Sequence, residues 1–404
     1  MTYELGVATT GASTAVRILA GAVSLLLVAC RPSPVPVADP GPAPSPGPAV
    51  ALEPSRADRI EQVVAAWHDA GLFSGVVLVA DHGEIVWQGG VGLVDVEAGR
   101  PNSADTVFPI ASLTKQVTAV LVMQQVELGT LSLDSTVAEV LPWYRRDPGE
   151  GIAVRHLLRH VSGLPDIDPA AYFETDPRAT DSRWLLQTYG RGELSFAPGT
   201  DFAYTNTDYH VLTAMLEAVT GRAYGDLLAE QILEPLGMDH SGIARRDDDP
   251  EGWALDYVPS DEGWVVAPPY RWENWQGAGG MRSTVGDLHR WNQALASRTL
   301  VSEQTWQTML TPRTDLPGGG NYVGLGSWVY PRPLPGSELA PRLVERRGAI
   351  GGFTILNVLV ADEDRWIVVL SNRYDESLHT LPYASCLPLD LLLVLYGLPP
   401  QGPG

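Results

Sequence analysis

The spacing of apolar and polar positions predicts the first regular elements of the chain. Apolar residues recur at helical intervals in RADRIEQVVAAWHDAG (56–71), and the closing glycine is typical of a helix end. SGVVLVADHGEIVWQGGVGLVD (74–95) has apolar runs on both sides of Asp81-His82-Gly83, which predicts a β-hairpin. ASLTKQVTAVLVMQQVELG (111–129) predicts a second helix, again closed by a glycine.

The rest of the chain divides into a helical middle and a C-terminal group of strands. Residues 130–310 contain helical patterns separated by long loops, whereas YVGLGSWVY, GGFTILNVLVAD and RWIVVLSNR predict strands. LPLDLLLVLYG (387–397) predicts a terminal helix. We therefore expect an α+β fold, an α/β sandwich with an antiparallel sheet built from both chain ends. Helices from both ends flank this sheet, and a mostly helical insertion spans about 130–310.

The N-terminal segment has the pattern of an export signal. Arg17 precedes the apolar run ILAGAVSLLLVA (18–29), which is too short to span a bilayer but suits the core of a signal peptide. The run ends at Leu27-Val28-Ala29-Cys30, which resembles the lipobox of bacterial lipoproteins. We expect residues 1–29 to be a lipoprotein signal peptide and Cys30 to be lipidated. The alternative, a cysteine buried in a core, fits poorly because a proline tract follows.

The segment after Cys30 predicts a spacer between a membrane and a domain. Eight of the twenty residues 31–50 are proline, so this stretch cannot build a core and favours an extended chain. We assign residues 30–55 to the lipidated cysteine and linker, 56–398 to the domain and 399–404 to a tail. The expected location is the bacterial cell envelope, lipid-anchored and facing outside the cytoplasm. The only other cysteine is Cys386, so no disulfide framework is predicted.

Composition narrows the classes of function. The formal net charge of −21 argues against nucleic acid or an anionic membrane surface as a partner, and the 45% hydrophobic content supports a sizeable core. Gly-x-Ser-x-Gly, His-Glu-x-x-His and paired-cysteine spacings do not occur in the sequence. These absences leave an α/β-hydrolase or a metal mechanism without support, so we expect no metal and no cofactor.

A single lysine, Lys115, occurs among 27 basic residues, and Ser112 precedes it by three positions. Arginine stays protonated and cannot act as a base, whereas a buried lysine can lose its proton. Positions i and i+3 share a helix face, so the pair could unite a nucleophile with its base. Taken alone the pair is a weak signal, because compositional drift toward arginine could also leave one surface lysine.

Two further stretches complete a pattern. Tyr204-Thr205-Asn206 stands between a turn and a predicted helix, and Arg346-Arg347-Gly348 stands just before a strand. With Ser112-x-x-Lys115, this order resembles the serine β-lactamase and penicillin-binding-protein superfamily, which carries Ser-x-x-Lys, Tyr-x-Asn and Lys-Thr-Gly or His-x-Gly. The resemblance covers about residues 56–398 and is closest to the branch of class C β-lactamases, DD-carboxypeptidases and related esterases. It implies the β-lactamase/transpeptidase-like fold.

The resemblance also implies roles for individual residues. Ser112 is the nucleophile that forms an acyl-enzyme, Lys115 takes its proton, and Tyr204 relays protons to the leaving group. Asn206 donates to the acyl side of the substrate. The backbone N–H groups of Ser112 and Ala349 form the oxyanion hole.

The third motif contains both a match and a departure. Gly348 allows the strand to approach the substrate. Arg346 stands where the family usually has lysine or histidine, and it can hold a positive charge near either the substrate carboxylate or Tyr204. Arg347 replaces a small residue and is expected to point outward. Because arginine cannot share protons, this departure makes β-lactam hydrolysis less expected than hydrolysis of a D-alanyl-type peptide or short ester.

One alternative function and one alternative role for two histidines remain open. The protein could be a catalytically silent lipoprotein that binds cell-wall peptides or penicillin, although a silent site would have no reason to retain its one lysine. His156 and His160, in HLLRHVSGL, could take part in chemistry, but they are expected to brace a loop.

Overall fold

A six-stranded antiparallel sheet lies at the centre of the part of the chain that the computed structural model describes. The described residues are 54–144, 151–245, 252–261, 263–268, 270–313, 322–374, 381 and 386–403. The α-helices among them are α1 Arg56–Asp69, α2 Thr114–Glu127, α3 Val137–Val140, α4 Val154–Leu158, α5 Ser182–Tyr189, α6 Thr207–Thr220, α7 Tyr224–Leu228, α8 Glu234–Leu236, α9 Gln276–Gly279, α10 Val285–Ala296, α11 Glu303–Leu310 and α12 Leu387–Leu395. The strands are β1 Gly75–Asp81, β2 Glu84–Val91, β3 Leu93–Asp95, β4 Arg100–Pro101, β5 Phe108–Pro109, β6 Gly242–Ile243, β7 Tyr257–Ser260, β8 Gly263–Val266, β9 Met281–Ser283, β10 Trp328–Pro331, β11 Arg342–Ile350, β12 Phe353–Val360 and β13 Arg365–Ser371.

The sheet joins the two ends of the domain. Its strand order is β10-β11-β12-β13-β1-β2, so the first hairpin pairs with the last strand, and Val77 lies opposite Val369. This arrangement confirms the predicted antiparallel sheet built from both chain ends. The interpretation of the fold as an α/β sandwich with a helical insertion is also correct.

Both faces of the sheet are covered by helices, as the sequence of β1 requires. Val76 and Leu78 contribute to the large core shared with α2, α6 and α10, whereas Val77 and Val79 face the core shared with α1 and α12. Successive side chains of a strand point to opposite faces, so the sequence of a strand that is buried on both sides is a continuous run of mostly apolar residues.

The terminal helices α1 and α12 pack together on one face. Ser55 caps α1 in a capping box with Asp58, and the helix buries an apolar stripe. Trp67 Nε1 donates to Asp390 Oδ2 of α12 over 2.9 Å, and Asp390 Oδ1 also accepts from the backbone N–H of Gln401 at 2.7 Å. The final residues are therefore held against the same helix.

The turn between β1 and β2 has the geometry that its sequence predicts. His82 and Gly83 have φ values of 52° and 79°, which suits a two-residue hairpin turn with both central residues in the left-handed region. Beside the turn, Asp81 is buried and binds the guanidinium groups of Arg56 and Arg365. This carboxylate therefore ties α1 and β13 to the hairpin.

The inserted region contains strands that the sequence patterns did not predict. Strands β6, β7, β8 and β9 lie within the region expected to hold helices and loops. β7 and β8 form a hairpin, and β6 and β9 form a small sheet with β5, which precedes that region. Strands of two to four residues are too short for their alternation to stand out from a loop.

The predicted signal peptide, Cys30 and most of the linker lie outside the described residues. Within the residues that are described, we find no helix with the length and apolar character needed to cross a membrane.

Candidate active site

Ser112 lies at the entrance to the central helix of the domain. The chain forms a 3-10 turn at Ala111–Leu113 and continues directly into α2, so the first turn of the predicted helix 111–129 is wound more tightly than an α-helix. Ala111 has a φ of 46°, which is uncommon for a residue with a side chain. Ser112 therefore directly follows a strained point of the backbone.

Lys115 is fully buried one turn further along, and its amine is surrounded by oxygen atoms. Nζ lies 2.9 Å from Ser112 Oγ, 2.7 Å from Asn206 Oδ1 and 2.5 Å from the carbonyl oxygen of Ala278. The predicted serine–lysine pair is thus in contact, and Asn206 of the second motif also contacts Lys115.

The electrostatic surroundings favour an uncharged lysine. Burial is the largest effect that lowers the pKa of Lys115, and the positive charge of Arg346 lowers it further, against an opposing effect from Tyr204. Desolvation alone would raise the pKa of Tyr204, but the charges of Lys115 and Arg346 outweigh it and leave that pKa below its usual range. Burial therefore lowers the pKa of Lys115, and the pKa of Tyr204 is lowered while Lys115 and Arg346 carry their charges.

Tyr204 also contacts Ser112, and its ring centroid lies 5.1 Å from Lys115 Nζ. Its hydroxyl lies 2.7 Å from Ser112 Oγ, and its ring lines the pocket. Arg346 reaches the same hydroxyl, with Nη2 at 3.3 Å.

Arg346 is buried beneath the site. Its Nε donates to the carbonyl oxygen of Ser112 at 2.9 Å, and its guanidinium lies 4.7 Å from the ring centroid of Trp328. Of the two placements that the sequence left open, the geometry favours the one beside Tyr204. Arg347, expected to point outward, instead lines the pocket, pairs with Glu345 and has a side chain only 22% exposed.

Gly348 brings β11 into contact with the turn at Ala111–Leu113. A Cβ atom at this position would lie 2.6 Å from the carbonyl oxygen of Ile110 and 2.8 Å from the backbone nitrogen of Ser112. The glycine is therefore needed for the approach of strand and turn, more directly than for the approach of a substrate. Ala349 follows at the exposed end of the strand and borders the pocket.

The pocket over Ser112 has a volume of about 320 Å³ and mainly aromatic walls. Its lining residues are Ser112, Phe202, Tyr204, Trp328, Arg347, Gly348 and Ala349. All three sequence motifs thus meet at one cavity.

Some residues that contact the site lie outside the three sequence motifs, and their contacts were not predicted. Asp166 binds the backbone and side chain of Asn206, and the backbone carbonyl of Ala278 holds Lys115. His160, by contrast, was expected to brace a loop; it is buried behind Tyr204 and accepts from the backbone N–H of Ala203 through its carbonyl oxygen. A backbone carbonyl has no sequence signal, and Asp166 is one acid among 48 Asp and Glu residues.

Comparisons with known proteins agree with this architecture. A family model described as Beta-lactamase matches residues 57–384. The fold and the serine–lysine–tyrosine site thus define a serine hydrolase of the β-lactamase and penicillin-binding-protein type. The chain belongs to the Beta-lactamase family.

Individual relatives are named for different activities. Penicillin-binding protein 4* of Bacillus subtilis is 28% identical over 321 residues, which is 76% of this chain and 69% of that protein. Esterase EstB of Burkholderia gladioli is 34% identical over 218 residues, 50% of this chain and 55% of the esterase. The D-amino acid amidase structure from Ochrobactrum anthropi superposes with a TM-score of 0.72 over 85% of this chain and 99% of the amidase. At 22% identity, this likeness shows the fold alone.

Proposed function

We propose that the protein hydrolyses peptides, amides or esters through a covalent acyl-enzyme on Ser112. The observation that carries the proposal is the position of Ser112 Oγ, 2.9 Å from Lys115 Nζ and 2.7 Å from the Tyr204 hydroxyl. A nucleophile within hydrogen-bonding distance of a base and of a second proton carrier has what acyl transfer requires.

The surroundings of Lys115 support its role as the base. A neutral amine has two N–H donors and one electron pair, and the oxygens of Asn206 and Ala278 can only accept. When these two oxygens take the two N–H groups, the electron pair faces Ser112. Lys115 then removes the hydroxyl proton while Oγ bonds to the substrate carbonyl carbon.

The remaining steps use the other residues of the site. The backbone N–H groups of Ser112 and Ala349 donate to the oxyanion of the tetrahedral intermediate. When the intermediate collapses, the bond from carbonyl carbon to the leaving group breaks. Tyr204 supplies the proton that the leaving group needs, and Lys115 replaces it. A water molecule later attacks the acyl-enzyme, gives up its proton along the same route and releases Ser112.

Arg346 contributes a fixed charge to this proton transfer. Its guanidinium donates to the Tyr204 hydroxyl and cannot titrate, so it stabilises the tyrosine in its deprotonated state without accepting the proton. We propose this role for Arg346 in place of direct contact with a substrate carboxylate. Asn206 keeps a role in substrate binding through the second N–H of its amide.

The pocket favours acyl compounds with an apolar group beside the scissile carbonyl. Phe202, Tyr204 and Trp328 form its walls, and Arg347 is the charged group among its lining residues. Relatives named as an esterase, a D-alanyl-D-alanine-carboxypeptidase/endopeptidase and a D-aminopeptidase support a D-alanyl-type peptide or short ester as substrate. A β-lactam is a less favoured substrate because the third motif lacks its usual titratable residue.

We also propose that the enzyme acts outside the cytoplasm, attached through a lipid on Cys30. The apolar run before Cys30 and the proline-rich stretch after it support this location. Labelling with a palmitate analogue should mark the full-length protein, and Cys30→Ser should release it into the soluble fraction. Unchanged membrane association of the variant would contradict a lipid anchor at this cysteine.

A fluorophosphonate label tests the catalytic proposal. Purified residues 50–404 should gain one adduct on Ser112, and Ser112→Ala should gain none. A panel of nitrocefin, p-nitrophenyl esters and a D-Ala-D-Ala peptide then ranks the substrate classes. Equal labelling of the Ser112→Ala variant would exclude Ser112 as the nucleophile, and binding of fluorescent penicillin without turnover of any substrate would indicate a silent binding protein.

A further inference from the structure

Asp166 lies at the edge of the active site, and its two carboxylate oxygens contact Asn206 in different ways. Oδ1 accepts from the backbone N–H of Asn206 at 2.7 Å and from Thr205 Oγ1 at 3.1 Å. Oδ2 accepts from the side-chain Nδ2 of Asn206 at 3.3 Å. The other end of the Asn206 amide, Oδ1, faces Lys115 at 2.7 Å.

We propose that Asp166 is a positioning residue that fixes the orientation of the Asn206 side-chain amide and, through it, directs the electron pair of Lys115 toward Ser112. The inference rests on the proposed function, because it matters only if Lys115 is the base. The hydrogen bonds of Asp166 go to Ile167, Thr205 and Asn206, and not to Ser112 or Lys115. Its negative charge acts directly on Lys115 only by raising the pKa of the amine, which opposes a neutral base, so a favourable effect on the base has to pass through Asn206.

The argument depends on what each group can donate and accept. A carboxylate accepts hydrogen bonds and donates none, so it faces the NH₂ end of an amide and never the carbonyl end. A side-chain amide held between two neighbours has two orientations that differ by a half-turn. Asp166 therefore excludes the orientation in which Asn206 would present Nδ2 to Lys115.

The excluded orientation would disable the base. An Nδ2 donor facing Lys115 would have to be accepted by the electron pair of the amine, because a neutral amine has no other acceptor. That electron pair is the one that must take the Ser112 proton. The observed orientation instead leaves Lys115 donating to Asn206 Oδ1 and to the carbonyl of Ala278, with the electron pair available at Ser112.

A purely structural role for Asp166 makes a different prediction. Its Oδ1 also accepts from the backbone N–H of Ile167 at 2.9 Å, so the carboxylate braces the turn that carries Thr205 and Asn206. An asparagine at 166 can keep every contact of Oδ1 through its own carbonyl oxygen. It would then place an NH₂ group opposite Asn206 Nδ2, and two donors facing each other would turn the Asn206 amide over.

The two variants Asp166→Asn and Asp166→Ala separate these roles. The experiment is single-turnover acylation of the full domain by one activated ester. Thermal unfolding of each variant measures how much the structural contacts of residue 166 stabilise the fold. We expect Asp166→Asn to lose about 10²–10⁴-fold in acylation rate, the range of a missing general base, with less than a threefold change in half-saturating ester concentration. Asp166→Ala, which leaves Asn206 free to keep its orientation, should lose less than about tenfold while unfolding at a lower temperature than Asp166→Asn.

The double variant Asp166→Asn with Asn206→Ala provides the matched control. Once the amide is absent its orientation is irrelevant, so the double variant should acylate within threefold of Asn206→Ala alone. The proposal is overturned if Asp166→Ala acylates more slowly than Asp166→Asn, or if it is more than about 100-fold slower than wild type. The second criterion holds even if Asp166→Asn does not fold. Lys115→Ala is measured alongside. If that variant is acylated at the wild-type rate, the proposed function itself is contradicted, independently of Asp166.

Discussion

The ring of His160 lies against the ring of Tyr204, with centroids 4.4 Å apart and planes inclined by 41°. His160 is buried, has a φ of 57° and accepts from the backbone N–H of Ala203 through its carbonyl oxygen at 3.0 Å. Its Nδ1 lies 3.2 Å from Asp208 Oδ2. The imidazole therefore braces the loop that carries Tyr204 and packs against the phenol itself.

We predict that His160→Asn lowers the acylation rate constant about tenfold or more with a smaller change in KM. Asparagine tolerates the left-handed backbone and keeps a polar group toward Asp208, but it removes the ring behind Tyr204. His156→Asn is the control, because the His156 ring accepts from Ala153 and does not contact Tyr204. Equal losses in both variants would indicate a general effect of this segment on stability.

Lys115→Arg should be nearly as inactive in acylation as Lys115→Ala. Arginine keeps the charge but cannot release its proton, so both variants should lose the ~10²–10⁴-fold that a general base supplies. The measurement is single-turnover acylation of the three proteins by one activated ester. An arginine variant within a few-fold of wild type would show that Lys115 supplies charge only.

Wild-type acylation should rise with pH and reach its plateau below the ordinary lysine pKa of ~10.4. Lys115 acts only when neutral, and its lowered pKa, caused first by burial, increases the neutral fraction at any given pH. The rate limb therefore shifts toward lower pH. A pH series of pre-steady-state acylation rates measures the limb, and a limb at or above the free-lysine value would contradict a neutral base.

Arg346→Met should slow acylation by a carboxylate-bearing ester and by a matched neutral ester to the same extent. The guanidinium contacts Tyr204 and the Ser112 carbonyl, so its loss affects the proton carrier whatever the charge of the substrate. Parallel kcat/KM measurements on the two esters test this. A loss confined to the carboxylate-bearing ester would instead assign Arg346 to substrate binding.

Asp81→Asn should destabilise the domain by about 1–3 kcal/mol, because it removes the buried carboxylate charge that Arg56 and Arg365 share, although Arg365 keeps its ion pair with Glu363. Burial alone would raise the pKa of Asp81, but the hydrogen bond and charge of Arg365, together with Arg56, hold it below the usual range. Its contribution is therefore fully present at neutral pH and disappears as the pH falls through this lowered value. Urea unfolding at pH 7 and at acidic pH measures both effects.

Asp362→Asn is the matched control for this stability prediction. Asp362 pairs with Arg342, but its side chain is 65% exposed, so the substitution should change stability by less than about 1 kcal/mol. Equal losses in the two variants would mean that burial does not distinguish these ion pairs.

The sequence predicted the sheet and the motifs because both depend on local patterns. Each pattern lies within a few residues of the chain. These patterns are the turn at His82-Gly83, where both residues have a positive φ, the apolar run of β1 and the Ser112–Lys115 spacing. The sheet built from both ends of the chain was predicted from strands at each end, whereas the particular pairing of β1 with β13 was not.

Other parts of the site depend on tertiary contacts that no local pattern contains. The position of Trp328 over Arg346 arises from pairing between β10 and β11, and the Ala278 carbonyl is positioned by the turn around α9. Arg347, which replaces a small residue of the family motif, was expected to point outward, but its long side chain reaches the pocket beside Trp328. The strand pattern predicts the face from which a side chain starts and not where its far end lies.

The pairing of β1 with β13 also determines when the domain can fold. Val77 and Val369 are neighbours across the sheet although nearly the whole domain separates them along the chain. During synthesis the first hairpin emerges early, but one edge of β1 has no partner until the last strand leaves the ribosome. Until then that apolar strand edge is exposed to pairing with other chains. A truncation before β13 should therefore yield an aggregating chain in which the complete Ser112–Lys115–Tyr204 site cannot assemble.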